Sequence, residues 1–293
     1  MRWAEVQVQV DDASEDAVSN ILIEEGCSGT ASTYDEGIRT VRGYLPVDDL
    51  LESRLGSVRE RIRALPDLGL TLPSTELSIN WVEDKDWEVS CRTFFKPIRV
   101  GKIVVSPSWE EPAAEEGDIV VQIDPGMAFG TGYHESTRLC LQALQDFVRA
   151  GDTVFDIGTG SGILAVVAAK LGAGRVIAVD IDPVAVSAAI ENVARNEVSE
   201  KVAVLLGDSP RDCPGSADLV VCNIVPDVII RMAPDLAAKL NHDGVLITSG
   251  IVQERTADVT SALESVGLET SEIREENTWV AVISRPRIDG GSA

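Results

Sequence analysis

Hydrophobic and polar positions in the second half of the chain follow two patterns in turn. Short apolar runs are typical of buried strands, and they lie near residues 153–157, 175–180, 202–206, 217–223 and 244–249. Amphipathic stretches typical of helices lie between and after them, near residues 162–171, 183–196, 227–239 and 252–266. Single strands that alternate with amphipathic helices predict a parallel sheet covered by helices on both faces.

The end of this region departs from the alternation. Residues 268–274 and 278–284 both look like strands, and only residues 275–277 separate them, which is too few for a helical crossover. We therefore expect an antiparallel hairpin at the edge of the sheet. The predicted fold class is α/β, with a seven-stranded, mostly parallel, doubly wound sheet of the Rossmann-like kind.

The first 82 residues show a different order of patterns. Val6, Val8 and Val10 alternate with glutamines, which is typical of a half-buried strand. Further strand and helix patterns follow, and together they give the order β-α-β-β-α-β. This order predicts a small α+β domain of the ferredoxin-like kind. Its sequence shows no constellation of catalytic residues, so we expect it to recognise or dock a partner, with a purely structural appendage as the alternative.

The domain boundaries follow from these patterns. The small domain covers residues 1–82, a linker helix and hairpin cover residues 83–117, and the larger domain covers residues 118–293. Near the linker, residues 98–106 are predicted to form one strand and residues 118–123 another. The chain is therefore expected to fold as two domains joined by a structured linker.

Composition excludes several classes of function. The chain has 293 residues, 44% of them hydrophobic, and no apolar run long enough for a membrane helix, so we expect a cytoplasmic protein with a sizeable core. Its five cysteines show no C-x-x-C spacing, which favours free, buried thiols over disulfides or a zinc knuckle. With only two histidines, a histidine-based metal site or a Ser-His-Asp triad is not expected.

The formal net charge of −23 bears on the partners of the protein. A chain this acidic is repelled by phosphates, and its sequence shows no segregated basic patch, so direct nucleic-acid binding is not expected. Two interpretations of the charge stay open. It serves either solubility, for example in a salty cytoplasm, or attraction to a basic protein partner.

Residues 153–164, T-V-F-D-I-G-T-G-S-G-I-L, contain the main candidate site. A strand-like run leads into Gly158, Gly160 and Gly162, and an apolar helical run follows. A strand that turns on glycines into a helix allows a ligand to approach the backbone closely. Asp180 ends the next predicted strand, where a carboxylate suits the hydroxyl groups of a ribose. The turn therefore predicts a cofactor that contains a nucleoside.

The spacing around the turn distinguishes two classes of cofactor. A dinucleotide site typically has G-x-G-x-x-G, whereas this chain has G-x-G-x-G with Asp156 two residues before the first glycine. A carboxylate there would repel a pyrophosphate and attract an ammonium group. S-adenosylmethionine has an ammonium, a sulfonium and a ribose diol but no phosphate. We therefore expect S-adenosylmethionine near Asp156, Gly158, Gly160 and Asp180, with a nicotinamide cofactor as the alternative.

A second dense segment precedes the turn. Residues 124–137, D-P-G-M-A-F-G-T-G-Y-H-E-S-T, combine glycines with aromatic residues, and no periodicity runs through them. This composition beside a glycine-rich turn predicts a ligand-binding or lid loop, with a purely structural loop as the alternative. Ser136 or Thr137 is expected to cap a helix over residues 138–148, and His134 to have a structural or capping role.

These motifs resemble those of a known family. V-F-D-I-G-T-G-S-G-I-L, A-V-D-I-D-P at residues 178–183 and N-I-V-P at residues 223–226 resemble class I methyltransferases. The segment 124–137, with D-K-D-W-E at residues 84–88 and P-S-W at residues 107–109, is more specifically similar to the PrmA-like ribosomal protein L11 methyltransferases. The resemblance covers nearly the whole chain and is weakest over the small domain.

The resemblance implies an S-adenosylmethionine-dependent enzyme that methylates amines of a large-subunit ribosomal protein, on lysine side chains, the N-terminal amine or both. The residues that match the family's cofactor contacts are Thr137, Gly158, Asp180 and Asn223. Phe129 and Gly130 match the loop that closes over the cofactor. The resemblance also implies that the domain at residues 1–82 docks the substrate.

Asn223 is further expected to orient the incoming amine, because a side-chain amide at the tip of a strand can present its oxygen to that amine. Asp208 is expected to lie near the adenine of the cofactor. The family commonly has Ala where this chain has Pro226, so N-I-V-P also resembles the N-P-P-Y of amide and adenine methyltransferases. The type of nitrogen that accepts the methyl group therefore stays open.

Two alternatives to this function stay open: a methyltransferase for another protein or a small molecule, and a cofactor-binding scaffold without catalysis. A monomer is expected.

Overall fold

The structure, a computed structural model, describes residues 2–11, 13–27, 30–35, 38–47, 50–83, 96–124 and 132–287. The chain divides into two compact units, residues 1–95 and 96–293, and each has a hydrophobic core of its own. Residues 84–95, which hold nearly all of the linker helix predicted from residue 83, and residues 125–131, the central part of the predicted ligand loop, lie outside the described residues.

The first unit folds into a four-stranded antiparallel sheet with two helices. Its elements are β1 (Arg2–Val10), α1 (Glu15–Glu24), β2 (Thr30–Asp35), β3 (Ile38–Pro46), α2 (Leu51–Ala64) and β4 (Ser78–Glu83). The strand order is β2-β3-β1-β4, so β1 pairs with both β3 and β4. This order of elements and strands confirms the predicted ferredoxin-like fold.

One face of this sheet is buried against both helices. Val6 and Val8 of β1 lie in the core with Leu22 of α1 and Leu55 of α2. Burying an aliphatic side chain of this size contributes about 1.5–3 kcal/mol to stability. Gln7 lies on the opposite face of β1 and is more exposed, as the alternating pattern predicts.

The second unit begins with a small three-stranded sheet made of β5 (Ile98–Val100), β6 (Ile103–Ser106) and β7 (Ile119–Gln122). The prediction of one strand over residues 98–106 is wrong, because the run turns back on itself at Gly101 and forms an antiparallel hairpin. Gly101 has φ 59°, a left-handed conformation that glycine adopts without strain and that permits the tight turn. β7 then pairs parallel with β6.

The larger sheet of the second unit has seven strands. They are β8 (Thr153–Ile157), β9 (Arg175–Asp180), β10 (Val202–Leu206), β11 (Ala217–Asn223), β12 (Leu240–Val252), β13 (Leu268–Glu276) and β14 (Trp279–Pro286). Their order is β10-β9-β8-β11-β12-β14-β13, with parallel pairing from β10 to β12 and antiparallel pairing from β12 to β13. The doubly wound, mostly parallel sheet with its closing hairpin confirms the predicted fold class.

The helices of the second unit are α3 (Glu135–Phe147), α4 (Ile163–Leu171), α5 (Pro183–Arg195), α6 (Pro226–Lys239) and α7 (Thr256–Ser265). No helix in the described ranges has the length and apolar character needed to cross a bilayer. The described cysteines, Cys27, Cys140, Cys213 and Cys222, are buried free thiols, as predicted, and Cys91 lies outside the described residues.

The direction of winding reverses between β8 and β11. The chain proceeds from β8 outward to β9 and β10, then crosses back to β11 on the other side of β8 and continues to β12. In open α/β sheets, ligands bind at the carboxyl ends of the strands where the winding reverses. This edge is where the predicted glycine turn after β8 and Asn223 at the end of β11 come together.

Candidate functional site

The glycine turn connects β8 to α4 and lies against the two neighbouring strands. The backbone N–H groups of Gly158 and Thr159 both donate to the carbonyl oxygen of Val179 in β9, at 2.9 and 3.0 Å. Gly158 has φ 75°, and a Cβ atom built there would overlap Cγ2 of Ile224, the residue after β11. Only glycine therefore fits this position without a shift of the surrounding chain.

Asp180 at the end of β9 holds the turn from the side. Its Oδ2 accepts a hydrogen bond from the backbone N–H of Gly160 at 2.8 Å, and its Oδ1 accepts one from the N–H of Asp182 at 3.0 Å. The residue is half-buried, and a carboxylate oxygen has lone pairs beyond the one used here. The structure thus brings two predicted site residues, Asp180 and Gly160, into direct contact and leaves the carboxylate able to accept further hydrogen bonds.

Asp156 lies beneath the turn and is 0% exposed. Its Oδ2 accepts hydrogen bonds from Oγ1 of Thr159 at 2.6 Å and from the backbone N–H of Ala165 at 3.1 Å, which ties the turn to the first turn of α4. Oδ1 is buried and has no hydrogen-bond partner among the described residues. Asp156 is therefore a buried support of the turn, with one oxygen left for an additional donor.

The burial of Asp156 affects its protonation. Loss of solvation raises the pKa of its carboxyl group to about 7, the nearby charge of Asp180 adds to the rise, and the hydrogen bonds from Thr159 and Ala165 act in the opposite direction. A cation placed near the turn would stabilise the ionised form. The site can therefore change its charge near neutral pH.

Asn223 and Thr137 meet at the same edge, although 86 positions separate them in the sequence. Asn223 is half-buried at the end of β11, and Thr137 is buried in the first turn of α3. The side-chain amide of Asn223 donates from Nδ2 to Oγ1 of Thr137 at 3.2 Å. Its Oδ1 has no hydrogen-bond partner among the described residues, so this pairing presents the amide oxygen as a free acceptor.

The start of α3 differs from the prediction. The helix begins at Glu135, and its N-cap is His134, whose Nδ1 accepts a hydrogen bond from the backbone N–H of Ser136 at 3.2 Å. The prediction that Ser136 or Thr137 caps this helix is wrong, because both lie inside its first turn. The imidazole of His134 packs edge-on against the ring of Trp279, with centroids 4.4 Å apart, which agrees with its predicted structural or capping role.

Two exposed apolar side chains beside Asp180 were not among the predicted site residues. Leu206 at the end of β10 lies directly across from Asp180 in the sheet and is 62% exposed, and Ile181 is 71% exposed. A large apolar residue at the end of one predicted strand and another directly after the neighbouring strand were the available signal in the sequence. Asp208 follows on the same edge and is exposed, with its backbone N–H donating to Oδ2 of Asp212 at 3.0 Å. The edge thus offers an apolar surface next to a carboxylate.

The charged side chains in the segments at this edge are all acidic, although Arg255, just beyond the last of them, is ion-paired to Asp227 at 2.6 Å. The segments that follow the parallel strands, residues 156–164, 180–184, 206–209, 222–228 and 249–252, contain no lysine or arginine. They contain the carboxylates of Asp156, Asp180, Asp182, Asp208 and Asp227. Such an edge disfavours a phosphate and favours a ligand with positive charge. In the described part of the chain, no cluster of His, Cys, Asp and Glu could hold a metal ion.

Most of the predicted site residues therefore converge. Gly158, Gly160, Asp156 and Asp180 form one cluster around the turn. Asn223 and Thr137 form a second pair. Ile224, the residue after Asn223, packs so closely against Gly158 of the turn that it leaves no room for a Cβ atom there. Phe129 and Gly130 lie outside the described residues.

Comparisons with known proteins show the family of the chain. A family model described as ribosomal protein L11 methyltransferase (PrmA) matches residues 2–287. The ribosomal protein L11 methyltransferase of Pelotomaculum thermopropionicum is 42% identical over 97% of this chain and 99% of its own length. That of Alkaliphilus oremlandii is 39% identical, again over 97% of this chain and 99% of its own length.

A solved structure gives the same result. The ribosomal protein L11 methylase from Lactobacillus delbrueckii subsp. bulgaricus aligns with a TM-score of 0.62 and 31% identity, over 66% of this chain and 100% of that chain. The family resemblance of the sequence motifs is therefore confirmed across the length of the protein. The chain is a methyltransferase that belongs to the ribosomal protein L11 methyltransferase (PrmA) family.

Proposed function

We propose that the protein transfers methyl groups from S-adenosylmethionine to amines of large-subunit ribosomal protein L11, on lysine side chains, the N-terminal amine or both. The observation that supports this most directly is the convergence of the Asp180–Gly160 contact and the Asn223–Thr137 pair at one sheet edge. The names of the relatives support the choice of substrate. A different acceptor on the same fold is the alternative that the experiments below also test.

The residues of the turn fit this cofactor. When bound, S-adenosylmethionine supplies a methyl group activated by its attachment to a sulfonium. In this proposal Asp180 accepts hydrogen bonds from the ribose hydroxyl groups, and the exposed side chains of Ile181 and Leu206 flank the adenine, with Asp208 beyond them. The backbone near Gly158 and Gly160 lies beside the methionine part. The unpartnered Oδ1 of Asp156 and the absence of basic residues in the flanking segments favour the ammonium group.

Asn223 is proposed to orient the acceptor nitrogen. Because Nδ2 donates to Thr137, Oδ1, which has no partner among the described residues, can accept a hydrogen bond from the incoming amine and direct the amine's lone pair toward the methyl carbon. Orientation of this kind can supply on the order of 7–11 kcal/mol of the barrier. The amine must arrive uncharged, and burial at this edge favours loss of its proton. His134 is occupied as the cap of α3, so the proposal assigns it no role as a base.

Substitution of Asn223 tests this assignment. Asn223→Ala is expected to reduce kcat at least tenfold while the dissociation constant of S-adenosylhomocysteine changes by about twofold or less. Thr137→Ala should reproduce part of this loss, and Thr137→Ser, which keeps the hydroxyl group, is the matched control. The two parameters are measured by steady-state kinetics on L11 and by calorimetry. Equal losses in kcat and in affinity would assign Asn223 to cofactor binding alone.

The small domain at residues 1–82 is proposed to dock the ribosomal protein. Its hydrophobic core is self-contained. Deletion of residues 1–82 should abolish activity on L11 and preserve binding of S-adenosylhomocysteine. Full activity of the truncated chain would contradict the docking role.

We further propose that the enzyme acts as a monomer in the cytoplasm. We also propose that it makes no direct contact with nucleic acid, in keeping with its net charge of −23.

A further inference from the structure

The last turn of α5 and the residue that follows it bury two side-chain amides. Asn192 is 3% exposed and Asn196 is 6% exposed. A buried amide destabilises a protein unless its hydrogen-bonding groups are satisfied, so the partners of these two residues show what they hold in place. Neither residue belongs to the site described above.

Asn192 contacts the glycine turn from the outside. Its Nδ2 donates to the backbone carbonyl oxygen of Ser161 at 2.9 Å, in a fully buried hydrogen bond. Its Oδ1 accepts from Nη1 of Arg195 at 2.6 Å. Asp156 supports the turn from below and Asp180 from the side, so Asn192 completes a set of three side chains that fix its backbone.

Asn196 contacts the end of β7. It accepts from the backbone N–H of Gln122 at 2.9 Å and donates to the carbonyl oxygen of the same residue at 2.7 Å, so its amide pairs with Gln122 as a neighbouring strand would. Its Nδ2 also lies 2.9 Å from the carbonyl oxygen of Asn192. This amide therefore joins β7 of the small sheet to the same turn of α5 that holds the glycine turn.

Arg195 provides a second, parallel connection. Its Nη2 forms an ion pair with Oδ2 of Asp124 at 3.0 Å, while its Nη1 donates to Asn192. Asp124 is itself fixed by Ser108, whose backbone N–H donates to Oδ1 at 2.6 Å and whose Oγ donates to Oδ2 at 2.9 Å. Asp124 is the first residue of the segment 124–137, whose motif is specific to the family, and Gln122 lies two positions before it.

We propose that Asn192, Arg195 and Asn196 are positioning residues that hold the glycine turn at Ser161 and the end of β7 at Gln122 and Asp124 in one fixed arrangement. The two segments belong to different sheets, and directional hydrogen bonds set their separation more narrowly than apolar packing does. The consequence is a preformed turn, which lowers the cost of ordering it when the cofactor binds. The inference rests on the proposed function in that it takes this turn to be the cofactor site.

The chain contains a matched control for this arrangement. Lys170 near the end of α4 also ties that helix to β7, since its Nζ donates to the carbonyl oxygen of Val120 at 2.8 Å. That hydrogen bond also ends on β7, but it starts from α4 and involves neither the glycine turn nor a residue of α5. Lys170→Met therefore removes a comparable tie without affecting the connection through Asn192.

The test is calorimetric titration of the full-length chain with S-adenosylhomocysteine. Asn196→Ala, which removes a side chain that does not itself touch the turn, is expected to weaken binding about three- to tenfold, the loss of roughly one net hydrogen bond. Asn192→Ala should weaken it at least as much, and Lys170→Met should leave it within about twofold. Arg195→Lys keeps a positive charge beside Asp124 but cannot contact Asp124 and Asn192 at the same time, so a small loss of affinity is expected. This milder variant replaces Asn192→Ala if the latter fails to fold.

A measurement without ligand separates this inference from the proposed function. Hydrogen exchange of the Gly160 and Gly162 amides, which donate to Asp180 and to the carbonyl of Thr159, should be faster in Asn196→Ala than in Lys170→Met. If the wild-type protein does not bind S-adenosylhomocysteine but the Gly160 and Gly162 amides exchange faster in Asn196→Ala than in Lys170→Met, the cofactor assignment is wrong and the positioning role stands. If neither affinity nor exchange in Asn196→Ala differs from Lys170→Met, these side chains only stabilise the fold and the inference is wrong.

Discussion

Replacement of Asp156 by asparagine isolates the energetic effect of a charge buried beneath the glycine turn. The side chain is completely buried, and one of its oxygens has no partner among the described residues. Asparagine has nearly the same shape, and its Oδ1 can still accept the hydrogen bonds from Thr159 and Ala165. Asp156→Asn therefore removes the ionisable group and keeps the local hydrogen bonds.

The magnitude follows from the pKa of this group. Burial raises the pKa from an ordinary value of 3.8 to about 7, and one pKa unit corresponds to about 1.4 kcal/mol, so ionisation of Asp156 costs the fold about 4 kcal/mol. Because the pKa is higher in the folded chain, the folded chain retains a proton that the unfolded chain has lost between about pH 4 and pH 7. The contribution of Asp156 to stability is thus complete below about pH 4 and is lost as the pH rises to about 7.

Urea unfolding of wild type and Asp156→Asn at several pH values between about 4 and 8 measures this contribution, because subtraction cancels the other titrating groups. We expect the free energy of unfolding of the variant to gain about 4 kcal/mol relative to wild type across that range. The variant should nevertheless bind S-adenosylhomocysteine more weakly at pH 8, because the ammonium group of the ligand favours the ionised carboxylate. A difference in stability that does not change with pH would refute the reasoning.

Two further substitutions, each with a companion variant, test the turn and the neighbouring Asp180. Gly158→Ala places a Cβ atom on a residue with left-handed backbone and against Ile224, so it should lower the free energy of unfolding by about 1–3 kcal/mol. Adding Ile224→Ala to this variant should recover only the part of the loss that comes from the overlap with Ile224. Asp180→Ala should weaken S-adenosylhomocysteine binding by roughly 1–3 kcal/mol through a lost charged hydrogen bond. Asp182→Ala, which removes the cap of α5, should lower the melting temperature with little change in affinity. Unchanged affinity in Asp180→Ala would contradict the ribose assignment.

The architecture was predictable because it depends on local patterns. Each parallel strand is an apolar run between amphipathic helices, and the short spacing between residues 274 and 278 required the closing hairpin. The contact between the turn and Asp180 follows from the same rule, since neighbouring parallel strands end at one edge. The hairpin at Gly101 was missed because one glycine within an apolar run marks either a bulge or a turn, and the pattern does not decide between them.

The contacts between distant segments were not predictable. No local pattern relates Thr137 to Asn223, which the fold brings together across 86 positions. The cap at His134 was missed because histidine is not a usual N-cap and two usual cap residues follow it. Asn192 and Asn196 are ordinary polar residues at the end of a predicted helix, and their burial becomes visible only when both sheets are in place.

The most direct test of the account is a transfer assay with S-adenosylmethionine labelled in its methyl group and purified large-subunit ribosomal protein L11. Wild type should place label on amine nitrogens of L11, located by mass spectrometry of its peptides, and Asn223→Ala should place far less while it still binds S-adenosylhomocysteine. Absence of label on L11 from a folded enzyme that binds the cofactor product, or label on atoms other than amine nitrogen, would contradict the account.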